Sequence, residues 1–449
     1  MPLTREILMS AESPLASVWA RVIPDTIVRG EGCWLWSDSG RKYLDFTSGI
    51  GVTNTGHCHP RVVEAIRHQA GELLFGQMNC VVPETALRLA EALTPHLPKG
   101  LDRFFFSNSG AEAVEGAVKL ARFATGKPNI IALQGGFHGR TAMTMALTSS
   151  KTVYRAGYQP LPAGVFFAPF PYPLHYLDSG LCFGTNDGSC QTAGHCGGPC
   201  DEERLATFCI SQLKQVLASQ SAPNETAAVL LEPVLGEGGY VPAPHTFVRQ
   251  LREVCDEHGL LLIVDEIQSG FGRTGEWWRH TGAGVTPDIL VAAKGIASGL
   301  PMSAIISTKE IMDRWPPGAH GGTYGGGSAI AQAAAIATIE VLQEEGLVEN
   351  ARQRGRQLTA ALKEIAQQNP ELREVRGPGL MIGCEFQAGE TGKKQASTIA
   401  KRCAEAGLLL LTCGTAGNVL RWIPPLIVTA EEIDHGLSIF HQALDEALA

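Results

Sequence analysis

Short apolar runs without polar–apolar alternation fill the middle of this 449-residue chain. They include NIIAL, GVFFAPF, AAVLLEPV, LLLIVDE, DILVAA and SAIIS, and many of their residues are β-branched. A strand that is apolar at every position must be covered on both faces. Amphipathic segments with helical spacing, such as PHTFVRQLREVCDEHG, lie between several of these runs. The pattern predicts an α/β domain around a mostly parallel sheet.

The C-terminal part of the chain has a different pattern. After Gly318, Ser328–Glu345 and the segment LVENARQRGRQLTAALKEIAQQNP predict two helices. The strands LREVRG and LMIGCEF follow, then a helix at TIAKRCAEAG, the strands LLLLT and NVLRWI, and a final helix. This order predicts a smaller α+β domain.

Composition narrows the possible partners. Hydrophobic residues make up 44% of the chain, charged residues 18%, and the net charge is -9. The absence of a basic run argues against nucleic acid as a partner. The N-terminus lacks a continuous apolar core, and no apolar stretch reaches the ~20 residues that span a bilayer. We therefore expect a soluble, cytoplasmic protein that does not bind membranes.

One lysine stands out because it follows a strand-like run. Lys294 comes directly after DILVAA, and Asp265 ends the run LLLIVD. If these runs are neighbouring parallel strands, both side chains emerge at the edge where open sheets bind ligands. Taken alone, such an aspartate is more often a surface or structural carboxylate.

Two glycine-containing stretches suit a phosphate. An apolar strand runs through Ser107 and Ser109 into Gly110 and a helix-forming segment, so backbone N–H groups at the helix start are open to an anion. The same serines would also serve as an ordinary helix cap. Thr323, in GGTYGGGS, offers a second phosphate contact. No P-loop lysine stands at the required spacing, which excludes an ATP-type site.

Phe137 and His138 follow the strand-like run NIIAL. An aromatic ring at a strand end can stack on a flat ligand, although a core phenylalanine is the plainer interpretation. A lysine, an aspartate, a phosphate cradle and a stacking ring together describe a site for pyridoxal phosphate. Apolar surroundings lower the pKa of a lysine, which favours the nucleophilic form.

The chain resembles class III aminotransferases, a branch of the fold-type I pyridoxal-phosphate enzymes. Within the class it is most similar to 4-aminobutyrate aminotransferases, with acetylornithine and ornithine aminotransferases as near relatives. The matching stretches cover nearly the whole chain in family order: LDFTSGIGVTNTGHCHPRV, SNSGAEAVEGAVKLAR, FHGRT, LLEPVLGEGG, LLLIVDEIQSGFGRTG, PDILVAAKGIASGLP, GGTYGGG and NVLRWIPPL.

The resemblance implies an α/β fold with a large domain and a smaller α+β domain built from both chain ends. We expect the large, cofactor-binding domain over 61–317, with a cysteine-rich insertion at 178–203. Residues 1–60 and 318–449 would form the smaller domain. The family's site lies at a subunit interface, which implies a homodimer or a dimer of dimers.

The family's cofactor residues carry over by position. Lys294 resembles the Schiff-base lysine, and Asp265 resembles the partner of the pyridine nitrogen. Thr323 would reach the phosphate bound by the other subunit. Ser109, Gly110 and Ala111 match the phosphate cradle. Phe137 matches the ring that stacks on the cofactor, with His138 beside it. Glu232 matches an acid near the cofactor ring, and Gln268 the residue that contacts the ring hydroxyl.

The substrate residues follow from the same resemblance. Arg421 is similar to the arginine that clamps the α-carboxylate of 2-oxoglutarate or glutamate, and Arg140 to the one that binds the distal carboxylate. Glu237 resembles the acid that pairs with the α-carboxylate arginine when a donor lacks that carboxylate. Ile50 and Gln77 match positions that line the substrate pocket.

A cysteine-rich loop departs from the family. Cys182, Cys190, Cys196 and Cys200 crowd one polar stretch, with His175 and His195 nearby. Thiolates in this number could hold zinc or an iron–sulfur cluster. The spacing is not that of a standard zinc knuckle, so a disulfide or a plain surface loop stays open.

The resemblance implies transfer of an amino group from an ω-amino acid, such as 4-aminobutyrate, to 2-oxoglutarate. Small molecules, an amino donor and a 2-oxo acid acceptor, would be the substrates. Two alternatives share the same lysine: an acetylornithine- or ornithine-type aminotransferase, and a racemase or epimerase. A more distant alternative is a metal-binding interaction module in which the cysteine loop is the functional part.

Overall fold

The computed structural model describes residues 14–179 and 201–448. The predicted metal ligands Cys182, Cys190, Cys196 and Cys200 lie outside these residues. Within the described residues, no group of three or more His, Cys, Asp or Glu side chains could hold a metal ion. No helix in the same ranges is both long and apolar enough to cross a membrane.

The strands are numbered in chain order. They are β1 Ile27–Glu31, β2 Trp34–Ser37, β3 Lys42–Asp45, β4 Arg103–Ser107, β5 Asn129–Leu133, β6 Val165–Ala168, β7 Thr226–Leu231, β8 Val234–Leu235, β9 Val241–Pro242, β10 Leu261–Asp265, β11 Ile289–Ala292, β12 Ser303–Ser307, β13 Leu372–Arg376, β14 Ile382–Phe386, β15 Leu408–Leu409, β16 Leu411–Cys413 and β17 Val419–Trp422.

The helices are named by their residues. The α-helices with regular backbone angles are Pro60–Glu72, Glu84–Leu93, Gly110–Thr125, Ala142–Leu147, Pro173–Asp178, Glu202–Ser219, His245–His258, Lys309–Met312, Ala329–Glu344, Leu347–Gln368, Gly389–Glu405 and Ala430–Leu448. Single 3-10 turns occupy Thr94–His96, Thr152–Tyr154, Arg279–Ala283 and Lys294–Ile296, and an irregular turn spans Ser48–Gly51.

The central sheet has the strand order β4-β12-β11-β10-β7-β5-β6. β10 pairs in parallel with β7 and β11, and β5 pairs in parallel with β6 and β7. Only β12 among these strands runs the other way, antiparallel to β4 and β11. β7, β11 and β12 are buried at every position. The predicted α/β fold with a mostly parallel sheet is confirmed.

Parallel pairing brings the ends of distant strands to one edge of the sheet. β4 leads into Ser109, β5 into Phe137 and β7 into Glu232, while β10 ends at Asp265 and β11 is followed by Lys294. Because the intervening helices return the chain to the opposite edge each time, these residues meet although they are far apart in sequence.

Two smaller sheets lie outside the central sheet, and one of them combines strands from both ends of the chain. One has the order β1-β2-β3-β15, in which Leu44 of β3 pairs in parallel with Leu408 of β15, and the other has the order β13-β14-β17-β16. The pairing of β3 with β15 supports our proposal that both chain ends build one smaller unit. The exact boundaries at residues 60 and 317 stay predictions.

Two predictions for the C-terminal part were wrong. The run LLLLT is not one strand, because β15 and β16 belong to different sheets and the fully buried Leu410 lies between them. The helix predicted at TIAKRCAEAG begins nine residues earlier, at Gly389. Its first half, GETGKKQA, is mostly polar and carries too few apolar residues to reveal a helical stripe.

A buried arginine joins the C-terminal sheet to the β8–β9 hairpin. Arg376, at the end of β13, donates from Nη2 to the carbonyl oxygen of Gly239 (2.6 Å) and to the Tyr172 hydroxyl (2.8 Å). Its Nη1 pairs with Glu374 (2.5 Å) and with the buried Glu385 (2.6 Å). The planar guanidinium thus binds four groups on four parts of the chain: the segment of Tyr172, the hairpin turn, β13 and β14.

Replacing Arg376 with Lys should destabilise the protein although the charge is kept. An ammonium group is a single point and cannot reach all four partners, so a buried carboxylate and a carbonyl lose their donors. We expect a loss of about 2 kcal/mol, seen as a lower midpoint of thermal unfolding.

Arg373→Lys is the matched control for this substitution. Arg373 lies on the same strand and binds Asp178 (2.8 Å and 3.1 Å) in a more exposed position. Exposed ion pairs contribute about 0–1 kcal/mol, so this variant should melt close to the wild type. Equal shifts for the two variants would contradict a special role for Arg376.

Candidate active site

A cavity of about 480 Å³ opens at the edge where the parallel strands end. It is lined by residues from six segments next to the strands of the central sheet, by the turn of the β8–β9 hairpin and by Val52. Most of the residues predicted from the sequence meet here: Ser109, Gly110, Ala111, Phe137, His138, Arg140, Glu232, Glu237, Asp265, Gln268 and Lys294.

Asp265 and His138 form a buried pair in the cavity wall. His138 Nδ1 lies 2.8 Å from Asp265 Oδ2, and Asp265 Oδ1 accepts the backbone N–H of Ile267 (3.0 Å). Burial opposes the charged form of His138, but the hydrogen bond to Asp265 and the negative charges of Asp265 and Glu232 together outweigh it, so the pKa of His138 lies above its ordinary value. The pair thus fixes the orientation of the Asp265 carboxylate.

Lys294 occupies a backbone conformation that non-glycine residues seldom adopt. Its φ is 48°, in the left-handed region, at the point where β11 turns into the 3-10 turn Lys294–Ile296. Such strain is characteristic of functional positions. Burial lowers the pKa of Lys294, although the negative charges of Glu237 and Asp265 act in the opposite direction. A larger fraction of the amine is therefore neutral than in water.

Glu232 ties two walls of the cavity together. Its Oε1 accepts the backbone N–H of Phe137 (2.6 Å), and its Oε2 accepts that of Gly236 (2.8 Å). Burial raises the pKa of Glu232 to about 7, and the neighbouring positive charge of His138 acts against this. This carboxylate thus holds the segment after β5 against the turn after β8.

The start of the helix Gly110–Thr125 forms another wall. Ser109 caps the helix by accepting the backbone N–H of Glu112 (3.3 Å), and Glu112 accepts the N–H of Ser109 in return (2.8 Å). The first N–H groups of a helix have no partner within it and carry partial positive charge. Ser109 can therefore cap this helix while the other N–H groups of its first turn bind an anion in the cavity.

Arg421 and Glu237 form a buried ion pair beside the cavity. Arg421 Nη1 binds Glu237 Oε1, and the two side chains are only 5% and 11% exposed. Burial opposes ionisation of Glu237, but Arg421 outweighs it, so the pKa of Glu237 lies below its ordinary value. The Tyr154 hydroxyl donates to the other carboxylate oxygen, Glu237 Oε2 (3.2 Å). Both oxygens of this carboxylate are therefore bonded.

The other predicted residues do not line the cavity in this chain. Thr323 and Gln77 belong to two segments that contact each other, since Gln77 Nε2 donates to the carbonyl oxygen of Gly322 (3.4 Å). Ile50 lies in the irregular turn Ser48–Gly51 with a φ of 68°. Arg421 does not line the cavity itself, but it pairs with Glu237, which does.

Sequence reasoning missed several residues of the site. Tyr154 was not predicted, because it lies in a polar loop without periodicity or motif. Leu300 and Met302 line the cavity because the antiparallel β12 begins at the shared edge, whereas a parallel strand would end there. The GEGG motif predicted only Glu237, but Gly236 also lines the cavity. A Cβ atom at position 236 would come within 2.9 Å of Gln268 Oε1, so a glycine is needed there.

The groups in the cavity fit pyridoxal phosphate. Gln268 Oε1 is buried and has no hydrogen-bond partner among the described residues, which leaves an acceptor for the ring hydroxyl. Asp265 suits a protonated ring nitrogen, the helix start at Ser109–Ala111 suits the phosphate, and Lys294 is the amine that an aldehyde requires. No observed contact opposes this assignment.

Known proteins with similar sequences are transaminases. The chain is 37% identical over 431 residues to the 5-aminovalerate aminotransferase of Pseudomonas aeruginosa, covering 95% of each chain. It is 36% identical over 448 residues to the 4-aminobutyrate aminotransferase of Escherichia coli, covering 99% of each. The crystal structure of ornithine aminotransferase from Toxoplasma gondii superposes with a TM-score of 0.83 at 27% identity, covering 99% of this chain and 95% of that one.

The match to a known family extends well beyond the cavity. The family described as aminotransferase class-III matches residues 15–444, which takes in the central sheet, the hairpin and both smaller sheets. Together with a cavity equipped for the cofactor, this match shows that the chain belongs to the class-III aminotransferases and depends on pyridoxal phosphate.

Proposed function

We propose that this aminotransferase takes the amino group of an ω-amino acid such as 4-aminobutyrate or 5-aminovalerate and passes it to 2-oxoglutarate. The buried pair of Arg421 and Glu237 is the observation that carries the proposal. An arginine suited to an α-carboxylate is already neutralised by the protein's own acid, as a donor without an α-carboxylate requires. The names of the two bacterial relatives support the same donor class.

The chain's own residues divide the chemistry between them. Bound pyridoxal phosphate supplies an aldehyde that bonds amines and a ring that draws electrons from the substrate carbon. Asp265, oriented by His138, stabilises positive charge at the ring nitrogen. Lys294 Nζ takes the proton from the reacting carbon of the donor and releases it within the same half-reaction, a role that suits its lowered pKa.

The two arginines are proposed to read the two carboxylates of the acceptor. Arg140 is exposed at the cavity rim, where it would bind the distal carboxylate of either substrate. Arg421 would bind the α-carboxylate of 2-oxoglutarate after Glu237 moves aside. A guanidinium holds a carboxylate through two parallel hydrogen bonds, which fixes the acceptor's orientation.

An acetylornithine- or ornithine-type reaction is the second candidate. The structural likeness to an ornithine aminotransferase favours it, and its donors also react through an amine at a terminal carbon. A screen of 4-aminobutyrate, 5-aminovalerate, ornithine and N-acetylornithine with 2-oxoglutarate separates the candidates. Loss of chirality in an amino acid, without formation of glutamate, would identify a racemase or epimerase instead.

We further propose that the protein is a homodimer. Apolar side chains are exposed on neighbouring parts of the chain, and the rings of Phe75 and Tyr324 lie 5.7 Å apart among them. The others are Leu73, Leu74, Val81, Val82 and Leu87. Burying this patch against a second copy would place Thr323 at an interface, as the family resemblance implies. Sedimentation equilibrium should give twice the chain mass, and a monomer would contradict the proposal.

Lys294→Ala should abolish transamination while the fold survives. The substitution removes both the amine for the cofactor aldehyde and the proton carrier, so the rate of glutamate formation should fall by at least about 10³-fold. Circular dichroism and thermal unfolding should stay near those of the wild type. A variant that transaminates at a near-normal rate would contradict the catalytic role proposed for Lys294.

The two half-reactions separate the roles of Arg421 and Glu237. Glu237→Ala leaves Arg421 unpaired when an ω-amino donor is bound, so that half-reaction should slow by about ten- to a hundredfold. The half-reaction with glutamate should change less, because the substrate's own α-carboxylate neutralises Arg421. Arg421→Lys should instead raise the KM for 2-oxoglutarate most.

Single-turnover rates of the Glu237→Ala holoenzyme with 4-aminobutyrate and with glutamate decide the matter. The glutamate rate in the same variant serves as an internal control for damage to the fold. Equal losses in both halves would mean that Glu237 is structural and that the preference for ω-amino donors is misassigned.

A further inference from the structure

Tyr154 has no assigned role, yet it contacts the ion pair that the proposed function depends on. It is the last residue of the 3-10 turn Thr152–Tyr154, which follows the helix Ala142–Leu147. Its hydroxyl donates to Glu237 Oε2 (3.2 Å), while Arg421 binds Oε1. The carboxylate is therefore held from two sides by two separate parts of the chain.

The ring of Tyr154 makes a second connection, to the other arginine. It packs edge-to-face on Phe137, with ring centroids 5.0 Å apart and an interplanar angle of 71°. The guanidinium of Arg140 lies 5.3 Å from the centroids of both rings, within the range of a cation–π contact. One side chain thus contacts the ion pair through its hydroxyl and the cation at the rim through its face.

We infer that Tyr154 is a positioning residue that holds Glu237 against Arg421 and thereby sets the preference between ω-amino donors and substrates with an α-carboxylate. The inference rests on the proposed function of the pair. Glu237 must be in place for a donor without an α-carboxylate, and it must leave for glutamate or 2-oxoglutarate. A hydrogen bond that exists only in the paired arrangement favours the first kind of substrate over the second.

The chemistry of Tyr154 suits a permanent donor. Burial, and after it the negative charge of Glu237, raises the pKa of Tyr154 to about 12. The hydroxyl is therefore protonated over the whole range in which the enzyme would be assayed. Because the acceptor is a carboxylate, this hydrogen bond is stronger than one between neutral groups.

The bond from Tyr154 also restrains rotation of the Glu237 carboxylate into the cavity. Arg421 alone could follow a small movement of the carboxylate, since it binds only Oε1. With Oε2 tied to a different segment of the chain, the carboxylate must break both bonds to leave. An incoming α-carboxylate therefore competes against two interactions rather than one.

Tyr154→Phe tests the inference, because it removes the hydroxyl and keeps the ring for Phe137 and Arg140. We expect the ratio of kcat/KM for 4-aminobutyrate to kcat/KM for glutamate to fall about tenfold, the value of one hydrogen bond to a charged group. The KM for glutamate should fall while the 4-aminobutyrate half-reaction slows. Tyr154→Leu, which packs differently, should shift the ratio in the same direction.

Tyr158→Phe is the matched control. Tyr158 lies four residues further along the same loop and is 62% exposed, so loss of its hydroxyl should leave the ratio unchanged. Holoenzyme of each variant is assayed in single turnovers with each substrate. A ratio for Tyr154→Phe that equals the wild-type ratio, or an equal loss in both half-reactions, overturns the inference.

The same experiment distinguishes failure of the inference from failure of the proposed function. A wild-type enzyme that reacts with no ω-amino donor disproves the proposed function, whatever Tyr154 does. In that event the KM for glutamate decides the role of Tyr154. A lower KM in Tyr154→Phe supports its restraint on Glu237, and an unchanged KM refutes it.

Discussion

The full burial of the central strands is the constraint on which the rest of this structure depends. Strands that are apolar on both faces must be covered by helices on both sides, and helical crossovers impose parallel pairing. Parallel pairing then brings the carboxyl end of each strand to the same edge. Glu232, Asp265 and Lys294 follow three adjacent strands for this reason, although more than sixty positions separate the first from the last.

Charge is concentrated at this edge, and three of the buried charged groups have partners that the structure describes. His138 faces Asp265, Arg421 faces Glu237, and Glu232 accepts two backbone N–H groups. Unpaired charges in such a dry place would cost several kcal/mol each. In the function we propose, the pairing of Arg421 differs from the others, because a substrate carboxylate would replace Glu237 as its partner.

Much of the fold and of the cofactor site could be predicted from the sequence, because both depend on local signals. Apolar runs predicted the strands, and Asp265 and Lys294 could be placed by their position at the ends of two runs. Ser109 and Gly110 were recognisable because a strand, a glycine and a helix start follow one another directly. These features need no knowledge of long-range contacts.

What could not be predicted depends on contacts between distant segments. The division of LLLLT at Leu410 follows from which strands happen to flank it, β3 on one side and β17 on the other. The role we infer for Tyr154 depends on the contact between its loop and the β8–β9 turn. Single residues that act through a tertiary contact leave no periodic trace in a sequence.

The turn that carries Glu237 is held by hydrogen bonds to its backbone as well as by the contacts of the Glu237 side chain. Arg376 binds the carbonyl oxygen of Gly239, and the backbone N–H of Gly414 binds that of Glu237 itself (2.9 Å). Gly239 has a φ of 127°, which only glycine adopts readily. An insertion or deletion in this turn would break these hydrogen bonds and displace Glu237. We therefore expect divergence toward other amino donors to proceed by single substitutions at the cavity rim, with the backbone of the turn unchanged.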